Sequence, residues 1–467
     1  MSEFKAAFTT PRDSLYFLHI PKTAGTSLRQ WLSDLFSAEH FLPCDHLDDL
    51  KAMAPEDIRQ HRFFSGHFST HLTDFVAPPP ATITWLREPV ARQISDYHFT
   101  RDQFEHLSQI ALSHGRHDWI EFWKKTQDLS LAELCQSEAH LGYSDNLQVR
   151  YLTGNIEIPD RVEINETILA QAKQKLTEIF HVGLCEQMDP SIDMLTHKLR
   201  HPYKPLRVTM NQGQKQNRQH DLSAAELRII REANHYDLQL YQFAQQLFAG
   251  RLEAFWESAT GAVVDSQEII EMYRRPETME IIQQHITNHF LQSHPLPNGE
   301  PGPFVVDFAD AVFQSGWYPR IKMDNGQYLR RAGPGRVSRF FAPLSHQSNY
   351  LLQFKIVLCP DPQIPRTLKL FVDNSPIRLE HDEVKTREGQ TEFFMRGFIP
   401  SRLIARGQSH SELRLESTHT IEQKVEFDSL RHISLSTHAF TFSPISLDLV
   451  KKHQLDWPVE CVPIFQF

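Results

Sequence analysis

The stretch LYFLHIPKTAGTSLRQWL, Leu15 to Leu32, limits what this chain can become more than any other segment. It opens as an unbroken apolar run of strand length. It ends with Leu28, Trp31, Leu32, Leu35 and Phe36 recurring at the spacing of one helical face. Between them lies a short loop carrying Pro21 and Gly25. A strand that feeds through so tight a loop into a helix opens a βαβ unit, and predicts a parallel sheet flanked by helices. The start of such a helix leaves backbone N–H groups without partners at its positive end. Lys22 adds a mobile cation, and the hydroxyls of Thr23, Thr26 and Ser27 add donors, so the loop suits a phosphate-like anion. An ordinary strand–helix turn with hydroxyl capping and an exposed lysine would read the same way. The loop is not a Walker A motif, because there the lysine follows the glycine, whereas Lys22 precedes Gly25.

A second stretch, ITWLREPVARQISDYHF (83–99), repeats the arrangement. ATITWL (81–86) is a candidate strand, Pro89 occupies the first helical position, and Val90, Ile94 and Tyr97 mark the helix. Arg87 directly follows the strand and Ser95 lies on the helix; a guanidinium fork and a hydroxyl can together hold a phosphate.

Together, HIPKTAGTSL and LREPVARQISDYHF resemble the two nucleotide-binding motifs of the sulfotransferases, in particular the branch containing the heparan sulfate and uronyl 2-O-sulfotransferases. The resemblance spans about residues 14–249. It implies a P-loop-like parallel sheet and a sulfuryl donor, 3′-phosphoadenosine-5′-phosphosulfate (PAPS), with adenosine 3′,5′-bisphosphate as product. By the same resemblance Lys22, Thr23, Ala24, Gly25, Thr26 and Ser27 cradle the 5′-phosphosulfate, and Arg87 and Ser95 hold the 3′-phosphate. SGHF (65–68) is similar to the family's Gly-His segment, which makes His67 the catalytic base. DNLQVRYLTG (145–154) resembles an Asn-x-Gln-x-Arg block, and HVGLCEQMDPSIDML (181–195) a Val-Gly-Leu-x-Glu segment. Glu88 stands where the family often has Asp.

Sulfuryl transfer needs in-line positioning, positive charge at the leaving oxygens and a base for the hydroxyl proton. Lys22 is expected to stabilise the leaving group and His67 to act as base, without a metal. The chain has 26 histidines, so a structural role for His67 is the alternative; His61, His67 and His71 read less well as a metal cluster, since no carboxylate or thiolate stands near them at ligand spacing. Asp96 and His98 are fallback bases. Arg92 and Arg101 are expected to be solvated helix charges. Lys204, Arg207, Lys215 and Arg218, in the polar segment 201–220, are expected on a surface loop. Glu186 is expected to pair with a cation or to cap a helix near Ser191.

Three units are expected along the 467 residues: 1–250 as the sulfotransferase domain, 251–303 as a helical connector and Pro/Gly-rich linker, and 304–467 as an all-β sandwich. A helix capped by Ser223 and Glu226 should end the first unit at Gly250, and Pro276 should divide the connector. HPLPNGEPGP (294–303) is linker by composition. NYLLQFKIVL, TLKLFVDN, TEFFMRGF and SELRLES alternate as antiparallel strands do. GWYPRI (316–321) and RRAGPGRVSRFF (330–341) combine aromatics with arginines, suiting either an acceptor-binding module or a structural, oligomerising one.

A net charge of −10 argues against broad nucleic-acid binding. Five scattered cysteines fit reduced thiols. The first residues carry no secretory pattern, and no run is long enough to span a bilayer. These features point to a soluble, cytoplasmic chain, of bacterial type because animal members of the family it resembles carry a membrane anchor; the resemblance implies an enzyme that transfers sulfuryl from PAPS to a carbohydrate hydroxyl. A P-loop nucleotide phosphotransferase or kinase, and a non-catalytic glycan-binding protein, remain the alternatives.

Overall fold

The computed structural model describes residues 2–3, 14–137, 145–156, 162–205, 222–294, 302–386, 389–424 and 430–445. Four strands, β1 (Leu15–Leu18), β2 (Phe63–Gly66), β3 (Ala81–Leu86) and β4 (His181–Leu184), form a sheet in the order β2-β1-β3-β4. All pairings are parallel, with Leu18 opposite Gly66 on one side and Thr84 on the other. Every residue of β1, β2 and β4 is buried, as expected of strands covered on both faces. Alternation sorts their side chains: Leu15 and Phe17 join one apolar cluster, Tyr16 and Leu18 the cluster on the opposite face.

Around the sheet stand α1 (Gly25–Ser33), α2 (Pro89–Asp102), α3 (His117–Asp128), α4 (Leu147–Thr153), α5 (Met188–Lys198), α6 (Ala224–Ala233), α7 (His235–Thr260) and α8 (Pro276–Ser293). The Ser223–Glu226 capping box forms as expected, but the helix it starts stops at Ala233. Asn234 breaks it, and α7 then runs unbroken through Gly250. An added Cβ at Gly250 would meet nothing within 4 Å, so glycine there merely sits on an open helix surface. Leu252, Phe255, Trp256, Ile282 and Ile286 all join the core of the parallel-sheet unit. The expected boundary at residue 250 is therefore displaced: helices of the supposed connector complete the first unit's core. Pro276 does open α8, at a position where its missing N–H is harmless.

From residue 304 the chain is β-rich. One sheet runs Ser2–Glu3, Phe304–Asp307, Ser436–Ile445, Asn349–Leu358, Thr391–Ile399 and Leu379–Lys385, with further short strands at its side. The other runs Ser375–Ile377, Lys369–Val372, Ser411–Glu416, Val337–Ala342 and Gln314–Ser315. Apart from the parallel pairing of Ser2–Glu3 with Phe304–Val305, the ladders are antiparallel. Phe340, Phe354, Phe440 and Phe442 fill one shared core, the texture of a sandwich. Trp317 is buried in that core, its indole N–H donating to the Arg339 carbonyl at 3.1 Å.

The two units meet at Asp34, the residue that ends α1. Its carboxylate is buried, 2.6 Å from both Lys204 Nζ and the Arg330 guanidinium, and accepts from Gln314 Nε2 at 2.8 Å. Arg320 donates to the carbonyls of Ser33 and Phe36. Lys204 is thus an interior cation, not part of a surface loop; Arg207, Lys215 and Arg218 lie outside the described residues. Of the aromatic–arginine stretches, Trp317, Arg320 and Arg330 serve core and junction. Among the described residues, no helix is long and apolar enough to cross a membrane.

Candidate active site

The strand order creates a topological switch point between β1 and β3, since β1 leads away to β2 on one side and β3 to β4 on the other. Ligands of open parallel sheets bind in the crevice beyond the carboxyl ends at such a point. Both sequence motifs end there. Lys22 and Ala24 adopt left-handed backbone, φ 69° and 62°, which wraps the loop around the end of β1. Thr23 is fully buried and its hydroxyl donates to the Ile20 carbonyl at 2.9 Å, so this side chain braces the loop and only its backbone is available. Gly25 has no room for a Cβ: it would lie 1.6 Å from His19 Nε2. Thr26 is exposed and Ser27 buried.

Helix α1 has no side-chain cap, in contrast to α2, where the Ala91 N–H donates to the Glu88 carboxylate at 2.7 Å. The first intrahelical bond of α1 is Leu28 N to Ala24 O, leaving the N–H groups of Gly25, Thr26 and Ser27 unused by the helix. Arg87 reaches over from β3, its guanidinium donating to the Lys22 carbonyl at 3.2 Å. The Lys22 ammonium rests 3.6 Å above the Phe99 ring; burial lowers its pKa, and Asp96 counters that shift. Among the described residues neither cation forms an ion pair. Ser95 sits half-buried on the second turn of α2. Lys22, Gly25–Ser27, Arg87 and Ser95 are therefore gathered at one end of the sheet.

Two blocks that carried no assigned chemistry hold this site in place. Gln148 clamps Arg87 by its backbone, accepting from its N–H at 3.0 Å and donating to its carbonyl at 2.9 Å. Asp237 in turn accepts from the N–H groups of Gln148 and Val149, and Asp145 pairs with Arg150 at 2.7 Å. Glu186 accepts from Glu88 N at 2.9 Å and from the Tyr241 hydroxyl; among the described residues it neither meets a cation nor caps the helix, which starts at Met188. Arg92 is another correction: it is fully buried, 3.4 Å from Asp96. Arg101 lies over the Tyr97 ring.

His67 follows β2. A Cβ on Gly66 would come within 2.8 Å of the Asp45 carbonyl, and the His67 N–H donates to that same carbonyl at 2.8 Å. Glycine thus permits the close approach that fixes where His67 emerges. Its Nδ1 lies 3.0 Å from the His19 carbonyl, so Nδ1 carries the proton and Nε2 keeps the lone pair. Its ring packs on His19 and His46, at centroid distances of 4.4 and 5.9 Å. Burial, with the neighbouring His46, pushes its pKa down to about 4. His71 turns elsewhere, to the Gly154 carbonyl at 3.1 Å.

His67 lines a cavity of about 710 Å³ together with Pro21, Asp96 and Phe99, the ring beneath Lys22. Trp119, Trp123 and Tyr151 form more of its wall. His19, His46 and these aromatics escape sequence reasoning; the SGH triplet fixes His67, but nothing adjacent to it in sequence announces the wall. Of the fallback bases, Asp96 lines the cavity and His98 packs against Tyr97. The arrangement offers an anion crevice and, beside it, a neutral imidazole lining a cavity.

In comparisons with known proteins, the model described as Sulfotransferase family matches residues 5–244. No curated protein matches the chain.

Proposed function

The chain belongs to the sulfotransferase family, and from that membership we propose that it transfers sulfuryl from PAPS to a carbohydrate hydroxyl. The observation that carries this reading is the pairing of two cations, Lys22 and Arg87, with an uncapped helix start at the switch point of the sheet. Such a crevice fits a nucleotide that bears anionic groups at both ends. When bound, PAPS supplies a sulfuryl group whose bond to the 5′-phosphate oxygen breaks as the acceptor oxygen bonds to sulfur.

The residues divide the work. The N–H groups of Gly25 to Ser27 and the Lys22 ammonium hold the end where negative charge builds, preorganised by the loop and therefore without reorganisation at the moment of reaction. Arg87, fixed through its backbone by Gln148, and Ser95 hold the 3′-phosphate. His67 Nε2 takes the acceptor's proton, while the His19 carbonyl keeps the ring in the tautomer that allows it. The cavity walls limit water around the attacking hydroxyl.

Thermal shift of the full chain with adenosine 3′,5′-bisphosphate, with ATP and Mg²⁺, and with buffer tests the donor assignment. Stabilisation by the bisphosphate alone supports it, and a response to ATP with Mg²⁺ alone points to phosphoryl transfer instead. Transfer of labelled sulfate from PAPS to saccharides tests the reaction.

A further inference from the structure

The cavity beside His67 has a composition that discriminates among acceptors, and this deepens the reading above and rests on it. Its volume, about 710 Å³, is that of a small-ligand site. Trp119 and Trp123, with ring centroids 5.8 Å apart, give it broad apolar surface. Its charged lining comprises the carboxylates Asp48, Asp96 and Asp118 and the cations Lys51 and Arg116. Arg116 is already engaged: Asp118 accepts from it at 3.0 and 2.8 Å, Asp48 at 3.3 Å, and its guanidinium lies 4.2 Å over Trp119. Lys51 is exposed, at the edge. Asp96 in turn faces the buried Arg92 at 3.4 Å, and the Lys22 ammonium rests on the lining ring of Phe99. The wall therefore offers aromatic faces and carboxylate acceptors, and its arginines are already matched by those carboxylates.

Sugar hydroxyls donate well to carboxylates, and the C–H face of an uncharged sugar packs on an indole ring. A uronate or a sulfated sugar would give up hydration there while the arginines of the wall are already held by carboxylates, a cost that an uncharged sugar does not meet. We propose that this cavity takes the neutral, hydroxyl-bearing end of a saccharide or glycoside, and that the pairing of its arginines with its own carboxylates disfavours acidic sugars. The choice is opposite to that of an enzyme built for a polyanionic glycan.

The test is binding to the full chain in the presence of adenosine 3′,5′-bisphosphate, by saturation-transfer NMR and calorimetry. The probes are phenyl β-glucoside, phenyl β-glucuronide and phenol; the first two differ only in a hydroxymethyl or a carboxylate. The glucoside is expected to bind at least about tenfold tighter than either of the others. Replacing Asp48→Asn and Asp118→Asn together releases the Arg116 guanidinium and should raise the affinity for the glucuronide above that of the unsubstituted chain, a gain that misfolding cannot mimic. Glucuronide or phenol binding as tightly as the glucoside, or a glucoside that does not bind, overturns the proposal. Titration of the bisphosphate in the same samples reports the donor site separately. Failure there removes the sulfotransfer reading, whereas failure of the glycoside preference alone leaves it standing.

Discussion

The two ends of α1 carry positive charge in opposite ways. At its start, Lys22 rests on an aromatic ring and Arg87 on a backbone carbonyl, and among the described residues neither has a carboxylate partner. At its finish, Lys204 and Arg330 close on Asp34 at 2.6 Å, buried and matched, with the Asp34 carboxyl held down at about 2 and the Lys204 ammonium lowered by burial to about 8. Both groups at the finish stay charged at neutral pH, and the one carboxylate is shared by two buried cations, so none of the three is offered to a ligand. A cation oriented by groups that do not neutralise it is reserved for an anion from outside. Partner type, more than residue type, separates binding cations from structural ones.

That contrast can be broken at either end. Asp34→Ala should have the largest effect, because it strands Lys204 and Arg330 in the interior; we expect a loss of about 3–5 kcal/mol, read by chemical denaturation. A loss below about 1 kcal/mol would put Asp34 among surface ion pairs. Lys22→Ala should leave the thermal midpoint nearly unchanged and lower turnover by about two decades, corresponding to about 3 kcal/mol of barrier. A variant that unfolds instead would make Lys22 structural. Arg87→Ala should weaken bisphosphate binding by roughly tenfold to a hundredfold in calorimetry. Unchanged affinity would remove Arg87 from the donor site.

The smallest effect is one of pH. With His67 held at about 4, below the ordinary value of 6.5, the imidazole stays an available base well into acid. The acid limb of kcat/KM should accordingly lie near pH 4, and a limb near 6.5 would assign the base role elsewhere. For stability the direction follows from proton binding: unfolded histidines take up protons below about 6.5 while the folded ones do not. His67 and His197, each lowered to about 4, therefore contribute fully above pH 6.5 and lose that contribution as pH falls to 4. Asp34, lowered from 3.8 to about 2, is lost only below that window. The thermal midpoint should decline first between pH 6.5 and 4.

What could be read in the sequence was local. The apolar run into Pro21 and Gly25, Arg87 directly after a strand, Pro89 and the Ser223 capping box each depend on neighbours a few residues away, and each sits in the structure where that logic puts it. The unit boundary was missed because Gly250 looks like a helix end, yet the apolar periodicity of α7 continues through it to Phe255 and Trp256. Arg92 was read as solvated because it stands on a polar helix; only the packing of α2 reveals that it is enclosed. Asp34 was invisible for a different reason: Lys204 is 170 residues away, and no spacing rule spans that distance. The cavity wall likewise draws on β2, α2 and α3, brought together only by the fold.

Helix α1, nine residues from Gly25 to Ser33, is a short rod with the loop at one tip and a clamp at the other. A clamped rod passes displacement along its length instead of absorbing it. The β-rich half, which supplies Arg330, Arg320 and Gln314 to that clamp, is thereby part of the scaffolding that positions the Lys22 loop. Trimming the gene to its first half would take away this abutment and leave Asp34 and Lys204 facing water, so the two halves make one mechanical object.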